Sequence, residues 1–342
     1  MSNNVEVMNS NLAIVAGHFP AMQCGRDADC NDHDASTVDT CTVHTGVCVF
    51  SSTPVTNAPT RSPPALEGHL ESFVVTGVTP SMWQTRYLRR AYTSPVIVCT
   101  VQHYGTKDTT TPAVVRMRSV QSRSFDLQVV VPGASATAPA AHTVHCLAAE
   151  QGVWTLPDGR PLEAQMYLSR VTDGPHHEMG ERQTFHHSYE TPVVVGQVMS
   201  SQDVRWSTFW TNSGGDDWSY FTTGKRVGVE EGHSTTRANE MIGMIVMEGG
   251  HGMVAGVEVQ SGRGVGPRND NRSSSFRPPF RWNLAPRVMV ASPLLHGSVV
   301  RNMTDAAAST STTVDKTAEE EGRVESYSYI AFGVEGLISL GT

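Results

Sequence analysis

Three proline-led apolar segments decide the fold: YTSPVIVC (92–99), YETPVVVG (189–196) and LAPRVMVA (284–291). Each is a short apolar, β-branched run behind turn residues, which predicts a buried strand. They begin at residues 92, 189 and 284, a period of about 95 residues. Two further anchors keep the same order. A strand opens with an apolar-Glu pair and reaches a valine eight or nine residues on: Leu70-Glu71 to Val78, Leu162-Glu163 to Val171, Val257-Glu258 to Val265. A last strand ends near an acid and glycine: HTVHCLAAEQG (142–152), EMIGMIVMEGG (240–250), ESYSYIAFGVEG (325–336). A repeat of this length is a small domain rather than a solenoid unit. The expected architecture is all-β: tandem antiparallel β-sandwich domains over 66–152, 153–250 and 251–342. RMRSVQSRSFDLQVVV (116–131) supports it, alternating through Val120, Phe125, Leu127 and Val129 as a half-buried strand does.

Composition agrees. The chain has 342 residues, 30 Gly, 19 Pro and 17% charged residues, with three lysines (Lys107, Lys225, Lys316) against 22 arginines. That mixture disfavours helices and suits strands and turns. Apolar runs stay under ten residues, too short to span a membrane as a helix. The net charge of −8 argues against nucleic acid as partner.

Ahead of the repeats stand three short segments: a strand-like stretch (1–20), a cysteine-rich module (21–50) and the Ser/Thr/Pro linker SSTPVTNAPTRSPPA (51–65). Cys24, Cys30, Cys41 and Cys48 are spaced C-x5-C-x10-C-x6-C, a disulfide-stapled pattern that needs an oxidising compartment. Cys99 and Cys146 fall in the proline-led and last strands of the first repeat, where the second repeat has Gly196 and Met244, so they are expected to pair. The N-terminus MSNNVEVMNS carries no signal-peptide pattern, and the sequence reads as a mature extracellular form.

An aromatic and a proline before an apolar strand, then Val115-Arg116-Met117-Arg118-Ser119-Val120 with Ser124-Phe125, then a closing V-x-x-L-A-x-E-x-G, resemble the H-type-lectin-like β-sandwich (jelly-roll) repeats of secreted algal and protist proteins. The first repeat matches best and the third least. The resemblance implies carbohydrate binding and assigns no particular residues to it. The cysteine module is similar to a short extracellular repeat, through Asp29-Cys30, Asp39-Thr40-Cys41 and Thr45-Gly46-Val47-Cys48, with Ser36 where that repeat has a cysteine.

Several side chains are candidates for chemistry. Asp27, Asp29, Asp32 and Asp34 could supply part of a Ca²⁺ shell, the one cofactor suggested, or simply cap a polar turn. Trp206, Trp210 and Trp218, with Tyr220 and Phe221, form either a glycan-stacking platform or a sandwich core. The sequons at Asn271 and Asn302 lie in polar, loop-like stretches and are candidate glycan acceptors. The pairs His142/His145, His176-His177 and His186-His187 read as surface imidazoles, and GRGVGPR (262–268) as a connecting loop. Nucleophile-elbow, P-loop and zincin motifs are missing, so no enzyme is expected.

The segment Val5–Ala16, with Val5, Val7, Leu12 and Ile14, is a lone strand that needs a sheet to join. The linker behind it could span ~45 Å at ~3.1 Å per residue. The C-terminal LISLGT is expected to leave the last repeat uncovered. These features predict an extracellular, glycosylated filament or surface-coat subunit, polymerising with copies of itself by strand donation. The alternative is a secreted lectin-like carbohydrate-binding protein.

Overall fold

The computed structural model describes residues 37–42, 47–52, 68–80, 82–103, 113–130, 141–173, 179–203, 206–214, 220–227, 237–265, 273–276, 286–293, 298–304, 310–316 and 326–341. The chain divides into two compact units, Met1–Ala65 and Leu66–Thr342. In the first, β1 (Thr37–Thr42) and β2 (Val47–Ser52) pair antiparallel, with Cys41 opposite Cys48.

The second unit is built only of strands among its described residues. The first repeat contributes β3 (Gly68–Val78), β4 (Gln84–Tyr87), β5 (Pro95–His103), β6 (Val114–Arg118), β7 (Ser124–Val130) and β8 (His142–Glu150). The second contributes β9 (Gly152–Thr155), β10 (Pro161–Ser169), β11 (Glu181–Thr184), β12 (Pro192–Val198), β13 (Thr208–Gly214), β14 (Tyr220–Arg226) and β15 (Glu240–Glu248). The third contributes β16 (Gly250–Val254), β17 (Val257–Val265), β18 (Ser273–Phe276), β19 (Val288–Pro293), β20 (Ser298–Thr304), β21 (Thr310–Lys316) and β22 (Ser326–Phe332). The last strand is β23 (Gly336–Leu340). The all-β expectation, with antiparallel sheets, is met.

Each repeat has a four-strand and a three-strand set. The four-strand orders are β5-β8-β3-β23, β12-β15-β10-β9 and β19-β22-β17-β16. The three-strand orders are β4-β7-β6, β11-β14-β13 and β18-β21-β20. A short parallel contact between β20 and β5 fuses the first and last of these sets. The strand register is equivalent in the three repeats: Cys99 faces Cys146, Gly196 faces Met244, and Ala291 faces Tyr329. Cys99 and Cys146 form a disulfide.

The third repeat corrects the sequence alignment by two residues. Leu70, Leu162 and Val259 hold the same register place, opposite Ala149, Met247 and Phe332. The opening pair is therefore Val259-Gln260. Gln260 is buried like Glu71 and Glu163, whereas Glu258 is partly exposed and bonds His251.

The C-terminus is also corrected. In the second and third repeats, β9 and β16 turn directly into β10 and β17. Among the described residues no strand precedes β3 in that role; β23 takes it, pairing Gly336–Leu340 with Ser72–Gly68. LISLGT is therefore no uncovered end but the strand that closes the ring of repeats. Inside the ring β5, β12 and β19 meet: Thr100 Oγ1 accepts from Ala291 N at 2.9 Å, and Ser292 Oγ accepts from Gly196 N at 2.9 Å. One apolar core, including Leu70, Leu127, Val193, Ile245, Val290 and Phe332, runs through all three repeats.

The glycine-rich GRGV stretch is strand rather than loop. Gly262 and Gly264 lie in β17, where the Tyr329 and Tyr327 side chains fill the space that a Cβ would need.

Candidate functional site

Buried carboxylates shape the loops around the repeats. Glu71 Oε2 accepts from Arg89 N at 2.9 Å, and Glu163 Oε1 accepts from His186 N and His187 N at 2.8 and 2.7 Å. Glu150 accepts from Thr93 N and Ser94 N at 2.8 and 2.7 Å, as Glu248 does from Glu190 N and Thr191 N at 2.9 and 2.7 Å. In the first two repeats the loop before the proline-led strand is thus pinned at both ends by acids of neighbouring strands. Burial raises the Glu71 pKa, opposed by its bonds to Arg89.

A further buried acid joins repeat to repeat. Arg116 of β6, itself buried, reaches into the loop after β12. Its Nε donates to Ser200 O at 3.1 Å, Nη1 to Ser207 Oγ at 3.0 Å, and Nη2 to Asp203 O at 3.1 Å. Nη2 also forms an ion pair with Glu240 at the start of β15. Glu240 further accepts from Gln202 N at 3.1 Å, Asp203 N at 2.9 Å and the Ser200 hydroxyl. Burial lowers the Arg116 pKa, while Glu240 favours its charged form.

These contacts set the walls of an open cleft of about 370 Å³ between the first and second repeats. The end of β6 supplies Arg118, the turn after it Ser119, Gln121 and Ser122, and the loop after β12 Ser201 and Gln202. Met166, Met199 and Met241 form an apolar lining. Ser119 has φ of 49°, a conformation that non-glycine residues rarely adopt and that recurs at binding sites. The turn is tied to the loop before β5 by Tyr92 N to Ser122 O at 2.8 Å and Leu88 N to Arg123 O at 2.9 Å. Among the described residues Arg118 is the only charged one lining the cleft. It lies over the Trp83 ring, 4.4 Å from its centroid, and donates to Asp126 Oδ2 at 3.2 Å. Hydroxyls and amides beside an apolar floor and an aromatic-backed cation can bind a polyhydroxylated ring, whose polar edges and apolar face need both.

The residues singled out from sequence fall elsewhere. Trp206 and Trp210 are 2% exposed and offer no ring face to a sugar. Trp206 packs with Val114 and Val130 of the first repeat, and Trp210 Nε1 donates to Asp173 Oδ2 at 2.8 Å. Trp218 lies outside the described residues. So do Cys24, Cys30, Asp27, Asp29, Asp32, Asp34, Asn271, Val5, Val7, Leu12 and Ile14. Asn302 lies in β20, paired to Thr312 and Gln102, rather than in a loop. His145 is no surface imidazole: it is buried between Gln102 Oε1 at 3.0 Å and Met289 N at 3.2 Å, and burial pushes its pKa down to about 4. His186 is half-exposed, but its Nδ1 stands 3.0 Å from buried Glu163. Sequence reasoning missed Trp83 and the cleft. The V-R-x-R motif pointed at its wall, yet alternation in one strand cannot show which arginine a neighbouring repeat will cover.

No known family model matches the chain, and none of the curated proteins matches it.

Proposed function

We propose that residues 66–342 form three β-sandwiches of an extracellular, lectin-like binding protein that takes a carbohydrate in the cleft between the first two repeats. The observation that carries this reading is the cleft itself, with serine and glutamine side chains at its rim, methionines lining it and Arg118 backed by Trp83. The resemblance to H-type-lectin-like repeats supports it, and the Cys99–Cys146 disulfide supports an oxidising compartment. A binding rather than catalytic role fits the buried acids: Glu71, Glu150, Glu163 and Glu240 are engaged by backbone N–H groups and do not line the cleft. The test is a glycan array probed with the full chain and with Ser201→Trp, which fills the cleft. Retention of particular glycans, lost in the variant, is expected. Failure to retain any glycan, or retention indifferent to Ser201→Trp, refutes the reading.

The filament reading keeps one support. Strand β11 is an edge of its sheet among the described residues, an acceptor of the kind a donated strand requires. The edge of β3 is already filled by β23. Removing residues 1–17 should then leave folded monomers, and continued polymerisation would refute strand donation.

A further inference from the structure

The charges around the cleft run against those of the chain. The protein carries 33 acidic and 25 basic residues, yet among the described residues no carboxylate lines the cleft and one arginine does. The two bordering segments add more arginines: Arg86, Arg89 and Arg90 lead into the loop before β5, and Arg123 ends the turn after β6. The hydrogen bonds between residues 88 and 123, and between 92 and 122, hold these segments side by side.

Neighbouring acids neutralise only part of this. Glu71 and Glu150 are buried and turned to backbone N–H groups. Arg89 lies 3.7 Å from Glu71 and 4.0 Å from Glu335, and Arg118 is paired with Asp126. Arg90 and Arg123 are exposed, and no ion pair with either occurs among the described residues. Cations held exposed without partners keep their full charge for an incoming anion. The second repeat, built on the same loop, has His186 and His187 where the first has Arg89 and Arg90, so the basic border distinguishes the first repeat from the second.

We infer that the cleft takes an anionic polysaccharide, with Arg118 at the sugar and Arg90 and Arg123 engaging its sulfate or carboxylate groups. This rests on the carbohydrate reading above and names its ligand class. Attraction to a polyanion by a chain of net charge −8 requires such local charge and weakens as salt screens it.

The experiment is calorimetric titration of the full chain with dextran sulfate, polygalacturonate and neutral dextran, with single-stranded poly(dT) as a further polyanion. One or both anionic polysaccharides should bind at least tenfold more tightly than neutral dextran, and more weakly as NaCl rises. Whichever binds more tightly identifies sulfate or carboxylate as the recognised group. The double variant Arg90→Ala/Arg123→Ala should lose at least tenfold in affinity at an unchanged melting temperature. Equal binding of neutral dextran, an unaffected double variant, or poly(dT) binding as tightly as the better polysaccharide overturns the inference. Neutral-glycan binding that Ser201→Trp abolishes and the double variant retains overturns the anionic assignment alone. Absence of any glycan binding overturns the carbohydrate reading with it.

Discussion

Strand β23 closes the ring without covalent help, and its removal from the core should be felt far from the C-terminus. Ile338 is buried within the common core and faces Leu70 across the ladder. Truncating a buried isoleucine to alanine costs about 2–5 kcal/mol through lost transfer energy and the cavity left behind. A body of 277 residues (Leu66–Thr342) should lose roughly 2–4 °C per kcal/mol. Ile338→Ala is therefore expected to lower the melting temperature by roughly 5–15 °C in calorimetry of the full chain. Ser339 is exposed on the same strand, and Ser339→Ala should stay within about 0.5 kcal/mol of the parent. A circular permutant that begins at Gly336 and joins Thr342 to Leu66 through a short linker makes β23 continuous with β3, as β9 is with β10. It should fold with an equal or higher melting temperature. If Ile338→Ala and Ser339→Ala behaved alike, or the permutant failed to fold, closure by β23 would be wrong.

Three further outcomes are expected. His145 is held neutral, with a folded pKa of about 4 against 6.5, so its contribution is complete above pH 6.5 and is lost as pH falls towards 4. The loss amounts to about 3 kcal/mol, and urea midpoints of parent and His145→Gln should converge at pH 4, parallel curves refuting the assignment. Arg116→Met strands Glu240 in the interior and should cost about 3–5 kcal/mol by urea unfolding, with part recovered on adding Glu240→Gln. A cost below about 1 kcal/mol would mean that the pair does not join the repeats. Replacing Cys99 and Cys146 together by alanine opens a loop of 47 residues and should cost up to about 4 kcal/mol, readable as the difference between variant and parent in denaturant midpoint. An unchanged midpoint would leave the disulfide without a stabilising role.

The repeat, the all-β class and the cross-strand cysteines were legible in the sequence because they depend on local pattern: apolar runs of strand length, turn residues between them, and a fixed period. The two-residue misplacement in the third repeat has a physical cause. Val257-Glu258 and Val259-Gln260 offer the same apolar-polar alternation, and only pairing with β22 selects between them. Trp206, Trp210 and His145 show the same limit. Burial of a large or polar side chain depends on what comes to lie against it, and here that is Val114, Asp173 and Met289, each distant in sequence.

The sequence by itself determined the strands, their order within a repeat and the pairing of Cys99 with Cys146, since these follow from period-two alternation and short-range turns. Tertiary structure alone decided that β23 returns to β3, that Arg116 crosses into the second repeat, and that a cleft opens beside it. Those contacts join residues more than 80 positions apart, and no local periodicity records which distant surfaces a closed ring of sheets will bring together.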